Sequence, residues 1–265
     1  MNLPIITVVA GPGGAGKTTW ICQKIQDLMS GGENQGESIL YFSPGTGTVP
    51  IDKTRMGADL PLVKVFAEGE EADFVDYVAT AKVIYIELGF HLELSAINQI
   101  VGDFPYQAIA VLPPNLQESE WHSWAREIVT GGDIIINPTN PTLSLWRAAA
   151  TGQVVEEDSL QEFWYELTEG AYGKVSRAKA IFDIADGRSV YLDFVAGIEK
   201  EDFIELDLPH CLQGRPERFS GIEVYGENLD EATIGQTLRD CCLSDSALAA
   251  SQQQVKEMLL AEADV

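Results

Sequence analysis

Basic side chains are scarce in this chain. Its 265 residues carry 17 Lys and Arg against 41 Asp and Glu, a formal net charge of −24. Such a surface repels phosphate backbones and anionic lipid, which argues against nucleic acid and membrane surfaces as partners. Cysteine is sparse too: Cys22, Cys211, Cys241 and Cys242, with no Cys-x-x-Cys pair. That argues against a zinc knuckle, and reduced thiols in a cytoplasmic protein are the expectation. No apolar run reaches the ~18 residues that a membrane-spanning helix needs. Met1-Asn2-Leu3-Pro4 has neither a basic region nor a long apolar stretch, so no secretion signal is expected. Internal repeats and low-complexity segments are missing as well. Hydrophobic residues still make up 45% of the chain, enough for a sizeable core in one large or two medium domains.

What is there is a phosphate-loop pattern. Gly11-Pro12-Gly13-Gly14-Ala15-Gly16-Lys17-Thr18-Thr19 fits G-x-x-x-x-G-K-[ST] at every fixed position. Before it, Ile5 to Ala10 reads as a buried strand. After it, Ile21, Ile25 and Leu28 share one face of a helix. Glycines let the backbone turn tightly, so that the N–H groups of Gly11, Gly13, Gly14, Ala15 and Gly16 can converge on one anion, helped by the helix dipole. Lys17 would reach the β- and γ-phosphates of a nucleoside triphosphate, and the Thr18 hydroxyl would hold Mg²⁺. Thr19 completes the motif. Further on, Lys82 to Ile86 reads as a buried strand that delivers Glu87 at its C-terminal end. A carboxylate there reaches Mg²⁺ or its waters.

The rest of the N-terminal half alternates. Strands are expected at Ser38–Phe42, Leu62–Phe66, Tyr106–Leu112 and Asp133–Ile136, and helices at Glu71–Thr80, Leu92–Ile100 and Glu118–Val129. This spacing implies an α/β fold with a mostly parallel, doubly wound sheet and helices on both faces. Loop 43–52 is rich in turn formers and leaves the end of a strand, where such sheets bind ligands. The expected division is a nucleotide-binding domain over 1–142, a helical linker over 143–167, a small α+β domain over 168–244 and a helical tail over 245–265. Within the third part, Lys174–Ile184 and Ser189–Val195 flank Ala185-Asp186-Gly187-Arg188, a hairpin signal. Strands are also expected at Glu201–Leu206 and Ser220–Gly226. A helix over Leu229–Cys241 has Asn228 as its expected N-cap.

With these residues in hand, the chain resembles the CobW family of phosphate-loop GTPases. Gly14-Ala15-Gly16-Lys17-Thr18-Thr19 matches the family loop. Gly47 to Asp52 is similar to its first switch, Ile84 to Gly89 to its strand ending in Glu, and Gly131 to Asn137 to the strand leading to its base-reading motif. Val175 to Ala180, Arg215 to Phe219, Gly226 to Asp230 and Leu238 to Cys241 resemble pieces of its C-terminal domain. Several motifs depart from the pattern. Ala67-Glu68-Gly69-Glu70-Glu71 stands where the family has Cys-x-Cys-Cys. Residues near Ser43-Pro44-Gly45 replace Asn-Glu-Phe-Gly. Glu87-Leu88-Gly89 replaces Glu-Ser-Gly, and Asn137-Pro138-Thr139-Asn140 replaces Asn-Lys-x-Asp. Family members look like GTP-hydrolysing metal chaperones or metallocentre insertases.

By resemblance, then, this chain keeps the phosphate and Mg²⁺ parts and loses the thiolate site. Thr18, Asp52 and Glu87 would place Mg²⁺ and water, with Lys17 and Glu87 acting in hydrolysis. Asn137 and Asn140 would contact the base of GTP or another triphosphate, with weak guanine preference. No arginine occurs among the first 54 residues to serve as an internal finger near the loop, so turnover should be slow. The nucleotide state would set loops near Asp52 and Leu88-Gly89 and so control a protein client, such as a metalloprotein. The alternative is a diverged pseudo-GTPase that serves as an assembly or regulatory factor. Hard-cation binding by Glu68, Glu70 and Glu71 is a third option. His210-Cys211 offers two ligands only, and His91 and His122 read as structural.

Overall fold

The computed structural model describes residues 3–31, 38–134, 143–198 and 203–263. They fall into two compact units, Met1–Ile136 and Asn137–Val265. In the first, β1 (Ile5–Ala10) is β-branched and buried from its second residue onward. Such a strand suits the middle of a parallel sheet, covered on both faces. It leads through the glycine loop into α1 (Lys17–Ser30). Then follow β2 (Ile39–Ser43), α2 (Ile51–Asp59), β3 (Lys64–Ala67), α3 (Glu71–Val78) and β4 (Val83–Glu87). A 3-10 turn at Leu94–Ala96 precedes α4 (Ile97–Val101), β5 (Tyr106–Leu112), α5 (Glu120–Trp124) and β6 (Glu127–Thr130).

The strand order is β3-β2-β4-β1-β5-β6, and every pairing is parallel. The C-terminal ends of all six strands therefore gather at one edge. Strand alternation decides which helices each residue meets. Ile6, Val8, Ala10, Leu40, Phe42, Ile84 and Ile86 cluster with Phe74 of α3 and with Ile97 and Val101 of α4. Phe74 stacks on Phe42 with ring centroids 4.7 Å apart. Tyr85, of the other parity, meets Trp20 of α1 edge-on at 6.5 Å. Helices thus cover both faces, as an α/β doubly wound sheet requires.

Three expectations in this unit need correction. Glu118–Val129 is not one helix. It leaves helical geometry at Ala125, whose ψ is 142°, and Arg126 N donates to Ala108 O at 2.9 Å. Pairing with the open edge of β5 wins over the i, i+3, i+4 pattern of Trp121, Trp124 and Ile128. The last strand is consequently Glu127–Thr130. Of the expected strand Asp133–Ile136, Asp133 and Ile134 lie outside any strand, and Ile135 and Ile136 lie outside the described residues. Asp52 sits in the first turn of α2, a helix not foreseen in the turn-rich stretch before it.

The second unit is built on β7 (Leu143–Ala149), β8 (Val154–Val155), α6 (Glu157–Thr168), β9 (Lys174–Ile184), β10 (Ser189–Val195), β11 (Phe203–Glu205), β12 (Gly221–Glu227), α7 (Glu231–Asp240) and α8 (Asp245–Ala263). The sheet runs β11-β10-β9-β12-β7 antiparallel, with β8 parallel to β9. Its inner face, with Ala178, Ala180, Phe182, Leu192, Ile222 and Val224, packs on Leu160, Phe163, Trp164 and Leu167 of α6 and on Ile234 and Leu238 of α7. On the other face the register sets Arg147, Glu223, Lys179 and Asp193 side by side across four strands, in alternating charge.

The helical linker over 143–167 is corrected in its first part, while its second part lies in α6. Leu143 to Ala150 has good helix formers, but β7 pairs along its whole length with β12, from Gly221↔Ala149 to Glu227↔Leu143. Backbone pairing at a sheet edge outweighs intrinsic propensity here. Likewise Asn228 is not the cap of α7. It takes a left-handed φ of 53°, and Asp230 caps the helix by accepting from Thr233 N at 3.1 Å. The tail helix α8 is anchored through Gln252. Gln252, 5% exposed, accepts from Gly214 N and donates to the carbonyls of Cys211 and Gly214.

Candidate functional site

The loop between β1 and α1 owes its shape to backbone that only glycine adopts freely. Gly11, Gly14 and Gly16 have φ of 142°, 84° and 99°. A Cβ on Gly11 would lie 2.2 Å from Val111 O of β5, so the loop is pressed against its neighbouring strand. From the other side, Gly131 N donates to Leu112 O at 2.7 Å and Gly132 N to Ala15 O at 3.1 Å. A Cβ on Gly131 would meet Ala15 O at 2.3 Å. Gly131-Gly132 therefore clasps the loop from the end of β6. In the sequence the pair stands only as a lead-in to a base motif, because the strand it follows reads there as part of a helix.

α1 opens at Gly16 without a side-chain cap, and its first turn holds no acidic residue. The positive end of the helix dipole is thus left uncompensated by its own side chains. Lys17 and Thr18 are buried at 6% and 8% exposure, whereas Thr19 is exposed. Lys17 Nζ donates to Gly11 O at 2.9 Å and to Pro12 O at 3.1 Å, which brings the ammonium back over the loop.

The expected cation residues come together. Thr18 Oγ1 lies 3.0 Å from Glu87 Oε1 and 3.4 Å from Asp52 Oδ1. α1, β4 and α2 contribute one residue each. The register Val9↔Glu87 places the carboxylate beside the strand that enters the loop. Glu87 is buried, and its second oxygen accepts from the Tyr41 hydroxyl at 2.9 Å. Burial, then Glu87 and Asp52, push the Tyr41 phenol well above its ordinary pKa. The hydroxyl of Ser43 at the end of β2 is buried near Tyr41 but makes no well-formed hydrogen bond among the described residues. Two carboxylates drawn to one buried hydroxyl repel each other and call for positive charge between them. The donors are all oxygens, so the residues present fit a hard divalent cation such as Mg²⁺.

Around this centre two loops meet. Phe90 lies with ring atoms 3.2–3.5 Å from where a Cβ on Gly13 would sit. His91 packs edge-on against Phe90 at 5.4 Å and fills the space beside Gly45 and Gly89. Other candidates serve the fold. Glu68 accepts from Gly47 N at 2.7 Å, Glu70 binds Lys53 at 2.6 Å and Ala67 N at 2.8 Å, and Glu71 accepts from Gly69 N at 3.0 Å. The acidic stretch thus fastens the loop before α2, and among the described residues no group of three or more His, Cys, Asp and Glu could hold a metal ion. His122 pairs with Ser119 and His210 with Glu205. Asn137 and Asn140 lie outside the described residues. No helix among the described residues is long and apolar enough to cross a membrane.

No protein-family model matches the chain, and no curated protein matches it. Solved structures that align with it include the Zn(II)-bound YjiA GTPase from E. coli and a Zn(II)-bound triple mutant of YjiA GTPase. Each alignment has 14% identity, covers 91% of this chain and 99% of that one, and has a TM-score of 0.31. At that score the likeness carries no argument about what this chain does.

Proposed function

We propose that the first unit binds a nucleoside triphosphate together with Mg²⁺, hydrolyses it slowly, and through its bound state controls association with a partner protein in the cytoplasm. The observation that carries this is the convergence of Thr18 with Asp52 and Glu87 at the start of a helix whose preceding loop is shaped by glycine. Lys17 would release the carbonyls of Gly11 and Pro12 and turn to the terminal phosphates. The loop amides and the end of α1 would take up the remaining charge. Thr18, Asp52 and Glu87 would hold Mg²⁺, which when bound neutralises charge on the phosphoryl oxygens. Glu87 and Asp52 would also orient the attacking water. Gly45, Gly89 and His91 lie in the two loops that would respond to the terminal phosphate. GTP is the nucleotide favoured by the motif resemblance, and a metalloprotein is the client it suggests.

Calorimetry with GTP, ATP and XTP, with and without Mg²⁺, tests the proposal. Binding should require Mg²⁺ and disappear in Lys17→Ala, while the circular dichroism spectrum stays unchanged. Phosphate release without a partner should be slower than about 10⁻² s⁻¹, since no internal arginine finger is foreseen. Binding with no release at all would select the assembly-factor alternative. No Mg²⁺-dependent binding of any triphosphate at millimolar concentration would overturn the proposal.

A further inference from the structure

Tyr41 occupies a place where a parallel strand ordinarily holds an aliphatic residue. It lies in the middle of β2, with no exposed surface, opposite Tyr85 of β4. Its neighbours Leu40 and Phe42 point into the cluster with α3 and α4, so Tyr41 points to the face of α1. Phe42 registers with Ile86, which puts Glu87 on the same face as Tyr41 and diagonally beyond it. A buried phenol is costly unless its hydroxyl is partnered, and here the partner is a buried carboxylate, a charge-assisted bond of 2.9 Å.

We propose that Tyr41 is a positioning residue for the cation site: its hydroxyl fixes Glu87 Oε2 to β2 and so presents Oε1 to Thr18 and the cation. This rests on the nucleotide and Mg²⁺ reading above. A carboxylate at a strand end can turn about its last torsion. With Oε2 tied to β2, a strand paired on both sides, that freedom is removed and the two oxygens take different tasks.

Tyr41→Phe removes one oxygen and keeps the ring. GTP affinity is measured with Mg²⁺ and in EDTA at one neutral pH, beside the unsubstituted protein. In EDTA the two proteins should agree. With Mg²⁺ the variant should bind about tenfold more weakly, the scale expected for losing a charge-assisted hydrogen bond. Equal affinities with Mg²⁺ overturn the proposal. If the unsubstituted protein itself shows no Mg²⁺-dependent binding, the proposed function fails instead, and a nucleotide-free measurement still decides on Tyr41. Carbon-13 relaxation of the Glu87 side chain in nucleotide-free protein should show greater motion in Tyr41→Phe. Unchanged motion overturns the role of Tyr41.

Discussion

A methyl group on Gly131 would lie 2.3 Å from the carbonyl oxygen of Ala15, inside the glycine loop between β1 and α1. Gly131→Ala should therefore lower stability by about 1–3 kcal/mol, the usual range for overpacking, and weaken triphosphate binding as well. Paired thermal melts and calorimetry check both effects; a normal affinity in a destabilised protein would show that the clasp does not shape the loop. Cys22 gives a second residue-level test. Its Sγ lies 3.6 Å from Met56 Sδ, and burial pushes its pKa up to about 11. At pH 8 only about one thiol in a thousand is then ionised, so maleimide should label Cys22 far more slowly than an unshifted thiol. The raised thiol and phenol pKa values of Cys22 and Tyr41 have the same sign for stability. Both groups hold their protons more tightly when folded, so stability is full below their ordinary values of 9.0 and 10.0 and falls as pH rises beyond them. Tyr41→Phe should flatten the upper part of that fall.

Single residues differ in how legible they are. Lys17 and Thr18 follow from a local pattern, and Glu87 from a strand that ends in a charge. Asp52 drew attention only through the motif resemblance, because the helix that presents it was not foreseen. Tyr41 and Gly131 could not be singled out. What matters about them is the register Phe42↔Ile86 and the approach of a strand end to Ala15, and neither is written in spacing along the chain.

Among the elements, α6 shows how a helix start depends on one side chain. Glu156 accepts from Asp158 N at 3.1 Å, from Ser159 N at 2.7 Å and from Ser159 Oγ at 2.8 Å. Those bonds, the Ser159 amide first, hold its carboxyl below the usual value. Glu156→Ala should cost about 1 kcal/mol at neutral pH, the typical worth of an N-cap. A depressed carboxyl contributes above its ordinary pKa and loses that contribution as pH falls below it. The two proteins should therefore converge in urea titrations run below about pH 4. The α6 pattern was readable because Leu160, Phe163, Trp164 and Leu167 recur at helical spacing and are buried together. β6 and β7 were not, since each is a strand by virtue of a partner. Thr130 and Leu112, or Ala149 and Gly221, meet across some 18 and 72 positions of sequence; apolar spacing points to a helix at the first place and propensity at the second.

At the scale of the whole molecule, charge dominates. The first unit carries 7 basic against 17 acidic residues and the second 10 against 24, so each is acidic by itself. Self-repulsion of this kind is screened by salt, whose Debye length falls from about 30 Å at 0.01 M to about 8 Å at 0.15 M. Melting temperature should rise over that range. A fall would mean that local pairs, such as Arg147 with Glu223 at 2.7 Å, outweigh the long-range repulsion.

The central place of β1 in the first sheet has a consequence for how the protein is made. Ile5 pairs with Val83 and Ile6 with Tyr106. A ribosome adding about 5–20 residues per second delivers β4 roughly 4–16 s after β1, and β5 later still. Until then a strand buried from its second residue onward waits on the nascent chain without either neighbour. The glycine loop behind it lacks the wall that Val111 provides and the carboxylate that Glu87 provides. Synthesis must therefore proceed through β5 before the proposed triphosphate site can be complete. Released chains truncated before Tyr106 should bind no nucleotide and should recruit chaperones that recognise exposed apolar strands.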